Sequence, residues 1–226
     1  MVTLCWAVKG GSGTTVVAAS LALSSRRPSL LVDLDGELPA VLGLPEPDRP
    51  GVEEWLASDT TTDHLADLLI DIAPQTWLLP WRSAAAGLQP SGRAAPDPIG
   101  ARPRWIELGL WLHDWSEQWG CDVTIDAGTG APPDEIAVRA DRSLLITRPC
   151  YLALRRAVRC PSRPTGVVLV DEPGHGLTQR DVEHALGVPV EATVGLDPTI
   201  SRAVDAGLLA TRLPRVMTRD LRTVAA

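Results

Sequence analysis

The sequence predicts a doubly wound α/β domain, a mostly parallel twisted sheet of about seven strands with helices on both faces. Three observations carry this reading. Short apolar runs alternate with segments of helical period, the order that builds parallel β-α-β units. Two of the runs, Leu30-Leu31-Val32 and Val167-Val168-Leu169-Val170, are apolar at every position, as expected of strands buried on both faces. The first run leads through a glycine-rich turn directly into a helical segment. The 226 residues, 45% hydrophobic and 22% charged, suit one globular core rather than two.

Taken in order, the first strand is expected at 3–8 and its helix at 15–25, where Val16-Val17-Ala18-Ala19-Ser20-Leu21-Ala22 follows the glycines. A second strand at 29–33 is followed by helical segments at 52–57 and 62–72 and a strand at 76–79. The helix at 104–119 carries Trp105, Leu108, Leu112, Trp115 and Trp119 on one stripe with Trp111 beside it, the spacing of a face turned to a core. Strands at 122–126, 143–147, 166–170 and 188–194 then alternate with helices at 134–140, 152–159 and 178–186, and helices at 198–206 and 217–224 close the chain. Right-handed crossovers place the strand C-termini, and any ligand, along one edge. The stretch 82–104 holds Pro90, Pro96, Pro98 and Pro103 among glycines, alanines and serines without periodicity. It reads as a long flexible loop inside a single domain spanning 1–226, because strands on both sides belong to one sheet.

Composition excludes several classes of function. No apolar run reaches the length of a membrane span, and the N-terminus lacks the basic, apolar and cleavage regions of a secretory signal. Cys5, Cys121, Cys150 and Cys160 stand far apart with no C-x-x-C pair, the pattern of reduced thiols in a cytoplasmic protein. His64, His113, His175 and His184 have no partners at ligand spacing, so no metal site is assigned to them. No Ser/His/Asp nucleophile arrangement is visible. The net charge of −7 argues against a broad nucleic-acid-binding surface.

The informative segment is Val8-Lys9-Gly10-Gly11-Ser12-Gly13-Thr14-Thr15. A strand, a glycine turn and a helix in this order let backbone N–H groups and a helix N-terminus face a phosphate. Lys9 is the single lysine among 21 basic residues and falls inside the turn. Thr15 opens the helix with a hydroxyl suited to Mg²⁺. Against the pattern G-x-x-x-x-G-K-[ST], Thr14 stands where the phosphate-reaching lysine belongs. A hydroxyl donates a neutral hydrogen bond worth about 1 kcal/mol where a cation gives about 1.5–3. Because that cation also stabilises charge developing in phosphoryl transfer, turnover should fall more than binding.

Lys9-Gly10-Gly11-Ser12-Gly13-Thr14-Thr15 resembles the deviant Walker A loop of the ParA/MinD ATPases, whose signature lysine reaches the nucleotide of a partner subunit. The threonine at Thr14 is similar to the CpaE/TadZ branch of pilus-assembly localisation proteins. Leu31-Val32-Asp33-Leu34-Asp35-Gly36 is similar to the second strand and switch I of that family. Asp122-Val123-Thr124-Ile125-Asp126-Ala127-Gly128-Thr129-Gly130 is similar to Walker B and switch II. The stretches 140–157 and 187–214 also look like actinobacterial members of this branch.

The resemblance implies a P-loop fold of the SIMIBI type that binds ATP or ADP through Lys9, Gly10, Gly11, Ser12, Gly13, Thr14 and Thr15. It implies Mg²⁺ near Thr15, Asp33 and Asp126, an attacking water oriented by Asp35, and a catalytic Lys9 acting across a homodimer. Asp171 stands where many members carry the Asn that reads adenine; a carboxylate accepts from an amino group but cannot donate. Many CpaE-like proteins also have an N-terminal receiver-like domain, for which residues before Lys9 leave no room. The implied role is positioning or scaffolding for a Tad-type pilus or secretion machine, with its motor ATPase and inner-membrane proteins as partners and weak hydrolysis at most.

Two features keep other readings open. Arg139, Arg142, Arg148, Arg155, Arg156, Arg159 and Arg163 face the single acid Asp141 in 139–163, a solvated face, a protein-docking patch or a DNA-backbone contact; nucleic acid is the weaker reading, since Tyr151 alone interleaves and the whole chain is acidic. The C-terminal Arg212, Arg215, Arg219 and Arg222 interleave with apolar residues, as in a helix lying on a membrane, although a helix packed on the sheet fits a short segment without bulky aromatics better. The alternatives are therefore a partitioning ATPase on DNA or membrane, and a pseudo-ATPase scaffold without nucleotide.

Overall fold

The computed structural model describes residues 1–82, 102–172, 174 and 176–225. The readings of 83–101 as a loop and of His175 lie outside the described residues. In chain order the elements are β1 (Val2–Ala7), α1 (Thr14–Ser24), β2 (Ser29–Asp33), α2 (Leu38–Leu42), α3 (Val52–Leu56), a 3-10 turn (Thr62–Leu68), β3 (Ile70–Ala73) and β4 (Thr76–Leu79). There follow α4 (Arg102–Trp119), β5 (Asp122–Thr129), α5 (Asp134–Ala137), β6 (Arg142–Thr147), α6 (Tyr151–Arg159), β7 (Gly166–Asp171), α7 (Gln179–Leu186), β8 (Val190–Gly195), α8 (Pro198–Asp205) and α9 (Arg215–Asp220).

The strands form one sheet in the order β3-β4-β2-β5-β1-β6-β7-β8. All neighbours are parallel except β3 and β4. An eighth strand, β3, joins the expected seven and replaces the end of the helix expected at 62–72. Ile70-Asp71-Ile72 alternates apolar and polar residues, which suits a half-exposed edge, and the turn at Pro74-Gln75, with Gln75 at φ 57°, folds β3 back on β4. α4 begins at Arg102, inside the stretch expected as loop, because Pro103 is tolerated in a first helical turn and Arg104 anchors that turn. Its guanidinium stacks 3.6 Å over the Trp55 ring and donates to the carbonyls of Trp55 and Thr60. α5 is shorter than expected, and α9 ends at Asp220.

Alternate residues of each strand feed two cores. Leu4, Trp6, Leu30, Val32, Val123 and Ile125 pack under α3 to α7, with Trp105, Leu108 and Leu112 of the α4 stripe turned inward as its spacing predicts. Trp119 at the end of that stripe is 57% exposed. On the other face Cys5, Leu31, Leu144 and Val168 pack against α1, α2, α8 and α9. Helices thus cover both faces, which is why the runs Leu30-Leu31-Val32 of β2 and Val167-Val168-Leu169-Val170 of β7 are apolar at every position. The C-terminal segment belongs to this second core: Met217, Leu221 and Val224 are buried, and Arg142 is ion-paired with Glu191 while donating to the Val224 carbonyl. Its apolar side faces the sheet.

Candidate nucleotide site

The ends of β1, β2, β5 and β7 converge on one edge, where their loops bring together residues far apart in sequence. The turn after β1 is built around Ser12, whose hydroxyl donates to the Lys9 carbonyl at 2.7 Å. Gly11 and Gly13 lie in the left-handed region at φ 74° and 86°, which side-chain-bearing residues avoid. Gly13 caps α1, its carbonyl receiving the first helical hydrogen bond from Val17 N–H at 2.9 Å. Ser12 and Thr14 are buried, Lys9 and Thr15 half-buried, and Gly10 and Gly11 exposed, so the outer side of the turn is bare backbone at the mouth of an eleven-residue helix. No atom lies within 4 Å of a Cβ placed on Gly10 or Gly11. β7 borders the turn: a Cβ on Gly13 would stand 3.9 Å from Val170. Asp171 follows, exposed at the strand end.

Asp33 and Asp126 are register partners on β2 and β5, both fully buried. Asp33 is buried while Asp35 is exposed, because β2 ends at Asp33 and the chain turns there, folding the Asp35 and Gly36 amides back onto the Asp33 carboxylate. The Asp33 carboxylate is taken up by its own turn. Oδ1 accepts from Asp35 N–H at 3.0 Å and Gly36 N–H at 2.7 Å, and Oδ2 from Leu38 N–H at 3.3 Å. Burial pushes its pKa up to about 7, helped by the neighbouring Asp126 charge and opposed by those three amides. Asp126 Oδ1 accepts from Gly128 N–H at 3.0 Å, whereas Oδ2 is buried with no hydrogen-bond partner. Burial raises the Asp126 pKa to about 6 against the pull of the Gly128 amide and the Thr15 hydroxyl; the Asp35 and Glu37 charges add to the rise.

A divalent cation fits this donor set. The unpartnered Asp126 oxygen and the Thr15 hydroxyl are hard oxygen donors at a helix N-terminus, and a buried carboxylate whose pKa has risen for want of a counter-charge gains most from one. Among the described residues no three His, Cys, Asp or Glu side chains gather into a metal site of their own. Thr15 and Asp126 would hold such a cation, supplying one hydroxyl and one carboxylate as donors.

Gly128 is the residue that sequence reasoning passed over. It sits at φ 60° directly beneath Asp35, and a Cβ there would overlap the Asp35 carboxylate. The loop after β2 and the end of β5 therefore touch through a side chain and bare backbone. They are also joined by Leu34 N–H donating to the Asp126 carbonyl at 2.8 Å. The only signal in the sequence is the Gly of Asp126-Ala127-Gly128, which says nothing about what lies above it.

No family model and no curated protein matches the sequence. Solved structures do. A ParA family ATPase from Chlorobium tepidum superposes with a TM-score of 0.73 at 17% identity, covering 99% of this chain and 96% of that one. The septum site-determining protein MinD from Pyrococcus horikoshii, complexed with Mg-ADP, gives 0.70 at 17% identity, covering 99% and 93%. A substituted McdA from Cyanothece, in complex with ATP, gives 0.69 at 18% identity, covering 99% and 96%. With its glycine turn between β1 and α1 and its acids at the ends of β2 and β5, the chain has the P-loop fold of the ParA/MinD ATPases.

Proposed function

We propose that the protein binds ATP or ADP with Mg²⁺ and works as a ParA/MinD-like positioning or scaffold protein, similar to CpaE/TadZ, for a Tad-type pilus or secretion machine. The observation that carries the nucleotide reading is the buried, unpartnered Asp126 Oδ2 beside Thr15 at the mouth of α1. The Mg-ADP and ATP held by the MinD and McdA structures of the same fold support it.

In this reading the backbone of Gly10, Gly11, Ser12 and Gly13 cradles the phosphates, with the N-terminus of α1 adding its dipole. Thr15 and Asp126 hold Mg²⁺, which neutralises phosphate charge when bound. Asp33 keeps the β2 loop in the shape that presents Asp35, and Asp35 orients a water. Lys9, half-buried at the rim, forms no salt bridge among the described residues, and in this reading it reaches the nucleotide of a second copy. Asp171 lies at the end of β7, where it accepts from an exocyclic amino group. Thr14, buried and neutral, supplies no charge to the transferring phosphoryl group, so hydrolysis is slow. The motor ATPase and inner-membrane proteins of the machine are the partners, at the cytoplasmic face of the membrane; no helix among the described residues is long and apolar enough to cross it.

The test is a thermal-shift and calorimetric titration with MgATP and MgADP. Binding that needs Mg²⁺ and is lost in Asp126→Ala supports the reading. Absence of any shift at millimolar nucleotide, when ligand binding to the folded state must stabilise it, would leave only a nucleotide-free scaffold.

A further inference from the structure

Beside the nucleotide edge a groove of about 500 Å³ opens between the ends of β1 and β5 and the outer face of α6. One wall is Val8, Gly130 and Ala131; the other is Leu152 with Arg155, Arg156 and Arg159, and Cys160 closes the end. All three arginines are exposed, and none makes a salt bridge among the described residues. Arg142 and Arg148 of the same arginine-rich stretch are instead paired with Glu191 and Glu172. Leu152 is 45% exposed, and Tyr151 just outside it 72%. A concave wall with an apolar strip and three uncompensated cations, on a chain of net charge −7, concentrates positive charge at one place.

We infer that this groove is a docking site for an acidic segment of a partner protein, one that sets Leu- or Ile-type side chains between glutamates or aspartates. Charge complementarity selects the acid. The apolar strip of Val8, Ala131 and Leu152 selects a peptide over a nucleic-acid backbone, which offers phosphates but nothing to bury against those side chains. Arginine forks seat carboxylates bidentately, so the three can fix the register of the segment while Leu152 receives its apolar anchor. The groove adjoins the nucleotide turn through Val8, but Leu152, Arg155, Arg156 and Arg159 have no role in the nucleotide reading, so variants at these four test the assignment separately from it.

The probe is a fluorescein-labelled peptide of repeating Glu-Glu-Leu units, followed by fluorescence anisotropy on the full chain, with a duplex DNA of equal charge as the comparison. The peptide should bind, and more weakly as salt screens the arginines. Arg155→Glu or Arg159→Glu should each weaken it about tenfold, the loss of one charge-assisted bond. Leu152→Asp should abolish binding where Leu152→Met retains it. Unchanged melting temperature and unchanged MgATP response in these surface variants keep folding and the nucleotide site out of the comparison. The assignment is overturned if the peptide fails to bind, if it binds the reversed variants equally well, or if the duplex binds through the same arginines and the peptide does not.

Discussion

Asp35 rests on the bare backbone of Gly128, so the loop after β2 meets the end of β5 where no side chain on the strand could fit. The same two strands carry the buried register partners Asp33 and Asp126. The contact with Gly128 gives the exposed acid a fixed position without burying it.

Gly128→Ala should cost about 1–2 kcal/mol, because an L residue is strained at φ 60° and the new Cβ must push Asp35 aside. Chemical denaturation checks the stability. If Asp35 orients the water, hydrolysis should fall further in this variant than nucleotide affinity. Equal activity in Gly128→Ala and the parent would remove the loop contact from the mechanism.

The buried acids predict a pH dependence. Both titrate above their unfolded value of 3.8, at about 7 for Asp33 and about 6 for Asp126. The folded state thus holds more protons than the unfolded one between about pH 4 and pH 7, and stability from these groups falls as pH rises through that window, then levels off. Asp181, Glu183 and Asp197, whose pKa values are lowered by hydrogen bonds from Thr178, Gln179 and Thr199, act with the opposite sign and only at the acid end. Urea denaturation should find the protein less stable at pH 8 than at pH 5. Asp126→Asn should be more stable than the parent at pH 8 by about 1–2 kcal/mol, while losing its Mg²⁺-dependent nucleotide response. A flat profile, or a destabilised Asp126→Asn, would contradict this electrostatic account.

The C-terminal segment predicts two unlike variants a single residue apart. Leu221 is fully buried against the sheet, so Leu221→Asp should cost about 3 kcal/mol or more by placing an unpaired carboxylate in the core. Arg222 is exposed, and Arg222→Glu should stay within about 0.5 kcal/mol. Thermal unfolding compares them. Equal melting temperatures would mean that the segment leaves the sheet, as a membrane-seeking helix does.

What was legible in the sequence was what depends on local pattern. Leu30-Leu31-Val32-Asp33 announces both a strand buried on two faces and the acid at its end, and the tryptophans of α4 announce an inward stripe. β3 escaped notice because four alternating residues at the end of a helix-like segment carry too little period to outweigh it. Which acid keeps an open oxygen was also hidden. Asp33 and Asp126 look alike in sequence, and only the turn after Asp33 supplies the three amides that occupy its carboxylate. The arginine groove was half legible: Arg155, Arg156 and Arg159 stand out on one helix, but Val8, Gly130 and Ala131 reach its other wall only through the sheet order.

Restoring the missing loop cation is a separate test of slow hydrolysis. Thr14→Lys should raise turnover by tenfold or more at saturating MgATP, the rough equivalent of one charge-assisted bond made to the transition state. Unchanged turnover would place the limitation elsewhere than Thr14.

The most direct measurement is isothermal calorimetry of MgATP against the protein, Lys9→Ala and Asp126→Ala, with sedimentation on the same samples. The account predicts saturable, Mg²⁺-dependent binding in the parent, its loss in Asp126→Ala, and in Lys9→Ala a loss of any nucleotide-driven dimer together with weaker binding. No heat and no change of mass in the parent at millimolar nucleotide would contradict it.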